Sequence, residues 1–149
     1  MERVSALGLD VGKKRIGVAG CDGTGLIATG LTTIERKSFP QDVQQLQGLV
    51  RERDAQLLVI GLPYCMDGSI GFQALQVQKF AKRISKALEL PVEYIDERLT
   101  SIEAEAKLKA QKKYSRHNKG LVDRLAATII LQQWLDQRRG SSTLNLTLL

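Results

Sequence analysis

Three acids in this sequence, Asp10, Glu97 and Asp123, stand where carboxylates could do chemistry together. Asp10 lies between an apolar run and a Gly-Lys-Lys turn, where an ionised carboxylate is costly unless it is paired, hydrogen-bonded or bound to a cation. Acids gathered at one edge repel one another, and a hard divalent cation relieves that repulsion. Such cations generate an attacking hydroxide and stabilise the leaving oxygen of a phosphodiester. The three acids therefore predict a metal-dependent phosphodiesterase site.

Apolar runs and helical periodicity predict the elements that must position these acids. The strands are expected at residues 4–11, 15–21, 26–34, 57–60 and 92–95. The helices are expected at residues 40–54, 72–88, 100–110 and 121–137, with a loop over 111–120. The first three strands follow one another through short turns and predict an antiparallel meander. The later alternation of strand and helix predicts an α/β fold with parallel strands joined by crossovers.

The predicted topology brings the acids to one edge of the sheet. The first, fourth and fifth strands end at Asp10, at residues 61–63 and at residues 96–97. Ligand sites in open α/β sheets lie outside the carboxyl ends of the strands. Asp123 shares a helical stripe with Ala126 and Ala127, whose small side chains would let the last helix approach that edge.

Each acid also has a purely structural interpretation. Asp10 could cap its own turn, and Glu97 could be a solvated loop acid paired with Arg98. Asp123 could stand in the first helical turn because a negative charge there favours the helix dipole. Gly12, in the turn, and Gly17, two residues into the second strand, are expected to keep bulk away from an approaching phosphate backbone.

Positive charge is concentrated in one segment. The chain carries a formal net charge of +6, and residues 107–124 contain seven basic residues against one acid. A localised basic patch is typical of a protein that binds a polyanion, although a solvated helix face would look the same. The predicted nucleic-acid-binding residues are Lys13, Lys14, Arg15, Arg98, Lys112, Lys113, Arg116, Lys119 and Arg124.

Composition limits the remaining possibilities. The 149 residues fit one domain, expected over 1–139, followed by a disordered tail over 140–149. The apolar runs are too short to span a bilayer, and no signal-peptide pattern opens the chain. Cys21 and Cys65 lack CxxC spacing and predict reduced thiols in the cytoplasm. With a single histidine, His117, a multi-histidine metal site is excluded.

Four blocks of residues, in order, resemble the YqgF (RuvX) family of candidate pre-ribosomal-RNA nucleases and Holliday junction resolvase-like proteins. The blocks are residues 8–19 (GLDVGKKRIGVA), 61–63 with 67–68 (GLP, DG), 96–101 (DERLTS), and Lys119 with 122–127 (VDRLAA). The DERLTS block, in order with the others, is the most specific. Lys13 and Ser101 depart from the pattern, where the family often has threonine.

The resemblance implies a ribonuclease H-like fold with strand order 3-2-1-4-5 and an antiparallel second strand. It implies a nuclease whose catalytic and metal-binding acids match Asp10, Glu97 and Asp123, with Mg²⁺ or Mn²⁺ as cofactor. It further implies a cytoplasmic protein that processes the 5′ end of the small-subunit ribosomal RNA precursor. The implied partners are structured RNA or branched DNA, with no membrane partner.

Other functions stay open at this point. A Holliday junction resolvase would use the same acids and would favour a homodimer over a monomer. A non-catalytic RNA- or ribosome-binding protein would need only the basic segment. A sugar-kinase-like ATPase would need a second phosphate-binding lobe, which 149 residues do not supply. Aromatic residues make up 5% of the chain, which predicts binding to phosphates and shape rather than to stacked bases.

Overall fold

A five-stranded mixed sheet forms the centre of the computed structural model, which describes residues 4–63, 67–96 and 119–148. Its strands are β1 (Ala6–Val11), β2 (Arg15–Cys21), β3 (Ala28–Glu35), β4 (Leu57–Leu62) and β5 (Val92–Asp96). They lie in the order β3-β2-β1-β4-β5. β2 is antiparallel to both neighbours, whereas β1, β4 and β5 run parallel. The expected ribonuclease H-like sheet is confirmed.

The described strands differ from their predicted bounds mainly at the ends. β4 continues two residues beyond Ile60, because Gly61 and Leu62 still pair with β5. Pairing ends at Pro63, which has no backbone N–H to donate. β3 begins at Ala28 rather than at residue 26, because residues 22–27 form a hydrogen-bonded turn before it.

In the part of the chain that the structure describes, three helices cover the sheet: α1 (Phe39–Arg53), α2 (Phe72–Leu88) and α3 (Lys119–Leu148). The hydroxyl of Ser38 caps α1 by accepting the backbone N–H of Gln41. α3 begins two residues before the prediction and continues past residue 137 to Leu148, so the loop predicted up to residue 120 is wrong at its last two positions. The helix predicted over 100–110 lies outside the described residues.

The α3 helix also crosses the boundary predicted between domain and tail. The backbone shows no break at residue 139, and the helix ends only at Leu148. The tail's predicted start is therefore not marked by the end of an element. The disorder expected for residues 140–149 stays a prediction.

Alternation along β1 separates two apolar layers. Leu7, Leu9 and Val11 point into the cluster formed with α1 and α2. Ala6 belongs to the second cluster, formed with α3. Because side chains alternate along a strand, Asp10 shares the α3 face with Ala6. None of the described helices is long and apolar enough to cross a membrane.

Glycines let α3 lie unusually close to the sheet. A Cβ added at Gly17 would stand 2.0 Å from the backbone carbonyl oxygen of Asp123. A Cβ at Gly8 would stand 2.7 Å from the Cβ of Leu131, and one at Gly30 would stand 3.2 Å from Oγ1 of Thr128. Gly17 therefore makes room for the helix backbone. The expectation that it clears space for a phosphate backbone is wrong.

Polar side chains fasten α3 to the outer strand. Gln132 accepts the backbone N–H of Ala28 and donates to the carbonyl of Leu26, both at 2.9 Å. Near the start of the helix, the hydroxyl of Thr33 donates to the carbonyl of Gly120. These contacts and the close glycine packing fix the distance of α3 from the sheet and its position along β1–β3.

Candidate active site

Asp10 occupies the next-to-last position of β1, at the carboxyl edge of the sheet. Its Cα pairs with that of Gly17, the residue over which the backbone of Asp123 lies. Burial, and then the nearby negative charge of Asp123, raise the pKa of the Asp10 carboxyl to about 6. Asp10 is therefore a half-buried acid whose ionisation costs more than it would in water, and a bound cation would offset that cost.

Asp123 reaches the same edge from the first turns of α3. Its Oδ2 accepts a hydrogen bond from Nε of Arg15, with a nitrogen–oxygen distance of 2.6 Å. The side chain of Asp123 is 20% exposed and that of Arg15 is 31% exposed, so solvent only partly screens this ion pair. Arg15 begins β2 and shares a strand face with Gly17, which explains how it meets the helix. The structure thus brings Asp10 and Asp123 together, with Arg15 beside them.

The third predicted acid, Glu97, lies outside the described residues. The strand that leads to it ends at Asp96, which pairs with Leu62 of β4. β1 and β4 are in register from Ala6 to Leu9, so the carboxyl ends of β1, β4 and β5 lie along one edge. Glu97 follows the end of β5 directly in the chain. Its role in the site stays a prediction.

The predicted basic residues have different positions. Lys13 and Lys14 are exposed in the β1–β2 turn, whose backbone is held by Arg36 through a 2.7 Å bond to the carbonyl of Gly12. Arg124 is half-buried on α3 and donates to the carbonyl of Gly120 at 3.4 Å. Lys119 is the first residue of α3. Four predicted residues lie outside the described part of the chain: Arg98, Lys112, Lys113 and Arg116.

Arg15 and Gly17 have roles in the structure that the sequence does not predict. The sequence predicts that Arg15 contacts nucleic acid, whereas in the structure its guanidinium holds the carboxylate of Asp123. It predicts that Gly17 lies beside a phosphate, whereas Gly17 packs against the backbone of the helix. Both contacts join residues more than 100 positions apart, and no local pattern in the sequence signals them.

The donor set suits a hard divalent cation. Carboxylate oxygens are the ligands that Mg²⁺ and Mn²⁺ prefer, and the mutual repulsion of Asp10 and Asp123 is what a bound cation would relieve. Within the described ranges, no group of three histidine, cysteine or acidic side chains is close enough to form a metal site. Two acids of the predicted three are therefore placed, and they fit a cation completed by a further ligand.

Comparisons with known proteins agree with this arrangement. A family model described as RuvX, Holliday junction resolvase, matches residues 4–137. A relative from Crocosphaera subtropica is 86% identical over 95% of this chain and 99% of its own length. A second, from Rippkaea orientalis, is 76% identical over 93% of this chain and 100% of its own length. Both relatives are named as candidate pre-16S rRNA nucleases.

Solved structures share the fold at low sequence identity. RuvC of T. thermophilus, in complex with a Holliday junction substrate, has a TM-score of 0.59 and 12% identity, covering 92% of this chain and 96% of RuvC. The fowlpox virus Holliday junction resolvase has a TM-score of 0.56 and 12% identity, covering 90% and 99%. At this identity the likeness supports the ribonuclease H-like fold alone.

Proposed function

This chain belongs to the RuvX family, and from that premise we propose that it is a nuclease that hydrolyses phosphodiester bonds and processes the 5′ end of pre-16S ribosomal RNA in the cytoplasm. The observation that carries the proposal is the meeting of Asp10 and Asp123 at the carboxyl edge of the sheet, beside Arg15. The relatives' shared name supplies the choice of RNA substrate.

Asp10, Asp123 and Glu97 would hold Mg²⁺ or Mn²⁺ in this proposal. When bound, the cation supplies Lewis-acid activation of water and stabilisation of the leaving oxygen. Arg15 keeps the carboxylate of Asp123 in one orientation through its Nε–H, which donates a charge-assisted hydrogen bond to Oδ2. Asp10 and Asp123 remain at a fixed separation because backbone contact at Gly17 sets the position of the helix.

Positive charge brings the substrate to this edge. The exposed Lys13 and Lys14 stand in the turn immediately after β1, and the basic segment 107–124 leads into α3. A polyanion is attracted by such a field at long range, and the attraction weakens as salt screens it. We therefore expect substrate affinity to fall steeply with salt concentration, whichever nucleic acid is bound.

A second candidate function is resolution of branched DNA. The description of the matching family model favours it. The same acids would serve both reactions, because each hydrolyses a phosphodiester. A resolvase would act on two strands symmetrically and would therefore be a dimer.

A side-by-side cleavage assay tests the proposal. The parent protein, Asp10→Asn and the control Glu93→Gln, an exposed acid on β5, receive either a pre-16S 5′-leader RNA or a four-way DNA junction. Each is incubated with Mg²⁺, with Mn²⁺ and with EDTA. We expect cleavage of the RNA by the parent and the control, no cleavage in EDTA, and a loss of about a hundredfold or more in Asp10→Asn.

Three results would contradict the proposal in different ways. Cleavage by Asp10→Asn at the parent's rate would remove Asp10 from the mechanism. Cleavage of the junction alone would select the resolvase function. RNA binding without cleavage under any condition would identify a non-catalytic RNA-binding protein.

A further inference from the structure

A groove of about 890 Å³ lies on the other face of the sheet from Asp123. It is bounded by the β1–β2 turn, by the beginning of α1 and by one side of α2. Val11 and Gly12, which directly follow Asp10 in the chain, are among the residues that line it. The groove and the acids therefore share one edge of the sheet but open on opposite faces.

Aromatic rings are concentrated in this groove. The chain contains three phenylalanines, and all three, Phe39, Phe72 and Phe80, line it. Phe39 and Phe80 make an edge-to-face contact with ring centroids 6.1 Å apart. Phe72, the first residue of α2, is 73% exposed and leaves its ring open to a ligand. An open ring offers a flat π-face on which a nucleic-acid base can stack.

Guanidinium groups extend the aromatic pair on both sides. The guanidinium carbon of Arg83 lies 3.8 Å from the centroid of Phe39, and that of Arg36 lies 4.5 Å from the centroid of Phe80. These cation–π contacts hold the two planar cations in place inside the groove. They also keep the rings of Phe39 and Phe80 occupied, so Phe72 is the ring available for stacking.

The charge of the groove is strongly positive. Five basic residues line it: Lys13, Arg36, Lys37, Lys79 and Arg83. Asp42 is the one acid among the described lining residues, and it already accepts an ion pair from Arg36 at 3.7 Å. Asp42 also accepts a hydrogen bond from the backbone N–H of Lys37. Its carboxylate is therefore already engaged by groups at the start of α1. The occupant that complements this surface carries several negative charges.

We propose that this groove binds a single-stranded polynucleotide segment, with a base stacked on Phe72 and phosphates held by the surrounding lysines and arginines. Stacking on an open ring needs an unpaired base, which a continuous duplex does not offer. The inference rests on the proposed nuclease function. It adds a requirement for a single-stranded stretch beside the cleaved bond, in RNA or in DNA.

The position of the groove defines which part of the substrate it binds. Asp10 lies on the sheet face that α3 covers and Asp123 lies on α3 itself, whereas Val11 and Phe80 belong to the layer formed with α1 and α2. A strand cleaved at the acids must therefore cross the sheet edge near the β1–β2 turn before it enters the groove. The groove binds nucleotides to one side of the cleaved phosphate and takes no part in the chemistry.

Equilibrium binding in EDTA tests the groove independently of cleavage. The probes are a fluorescein-labelled single-stranded RNA of about twelve nucleotides, a DNA of the same sequence, and the corresponding blunt duplexes. The variant Phe72→Ala is compared with Leu75→Ala, an apolar residue of the same helix that is 46% exposed and lies outside the groove lining. Lys79→Ala is compared with Lys82→Ala, an exposed lysine of α2 that is also outside the lining.

We expect Phe72→Ala to weaken single-strand binding about fivefold or more and to leave duplex binding unchanged. Lys79→Ala should reduce the slope of log affinity against log salt by about one for the single strand. Leu75→Ala and Lys82→Ala should match the parent. RNA and DNA arms that lose affinity equally would indicate recognition of base and phosphate; a loss confined to RNA would indicate that the 2′-hydroxyl contributes.

Unchanged single-strand affinity in Phe72→Ala would overturn the proposal, and so would an equal loss for single strand and duplex. A parent dimer that Phe72→Ala dissociates, with oligonucleotide affinity intact, would identify the groove as a protein interface and overturn it as well. Failure of the nuclease function is distinguishable. In that case the binding differences persist in EDTA while no substrate is cut. The groove would then be a site that binds single strands in a protein that does not cleave them.

Discussion

Asp10 should destabilise the metal-free protein at neutral pH, and Asp10→Asn should remove that cost. The carboxyl has a pKa of about 6 in the folded chain, against an ordinary value of 3.8. Between about pH 3.8 and about pH 6 the folded state holds more protons than the unfolded state, so the free energy of unfolding falls as pH rises. Above about pH 6 the whole destabilisation by the ionised carboxylate is present. The difference corresponds to about 3 kcal/mol at most. Because solvent reaches the half-buried carboxyl, we expect about 1–2 kcal/mol.

Urea unfolding in EDTA at pH 4, 5, 6 and 7.5 measures this effect. The stability of Asp10→Asn relative to the parent should increase by about 1–2 kcal/mol between pH 4 and pH 7.5. The control Glu93→Gln, at an exposed position of β5, should follow the parent across the range. Added Mg²⁺ should raise the stability of the parent more than that of Asp10→Asn. A relative stability that stays constant with pH, or that changes in the opposite direction, would refute this account of Asp10.

Three further substitutions probe how α3 is positioned. Gly17→Ala should cost about 1–3 kcal/mol of stability and much of the cleavage activity, because the added methyl group meets the carbonyl of Asp123. The control Gly48→Ala adds a methyl group in open space on α1 and should raise the free energy of unfolding in urea by about 0.5–1 kcal/mol. Arg15→Ala should change stability by less than about 1 kcal/mol yet slow cleavage at saturating substrate, and an unchanged rate would contradict its positioning role. Gln132→Ala should cost about 1–2 kcal/mol through two lost hydrogen bonds, with the cleavage rate retained below the unfolding transition.

Much of the fold could be predicted because local patterns determine it. The continuous apolar run at residues 57–60 indicated a strand buried on both faces, and β4 has that environment. Apolar spacing placed α2 at its observed bounds, Phe72–Leu88. The strand order, however, came from the resemblance, since periodicity alone does not say which strands are neighbours.

The candidate site was predictable only in part. Small residues beside Asp123 correctly indicated a helix that approaches the sheet, but the closest contact is made by Gly17 on the strand side. Charge alone could not separate an arginine that binds phosphate from one that holds a carboxylate, as Arg15 does. Low aromatic content likewise argued against base stacking, although a count of residues does not show that three phenylalanines gather in one groove. Each of these features depends on contacts between distant parts of the chain.

The ion pair between Arg15 and Asp123 spans 108 positions of the chain, and this separation has a consequence during synthesis. The β1–β3 meander can form early from local contacts, but the acid of α3 reaches it only after nearly the whole domain has left the ribosome. Contacts of such large sequence separation close late in folding. A nascent or truncated chain without α3 carries only one acid of the pair. If the proposed mechanism holds, we expect such a chain to leave nucleic acid uncut until α3 has packed on the sheet.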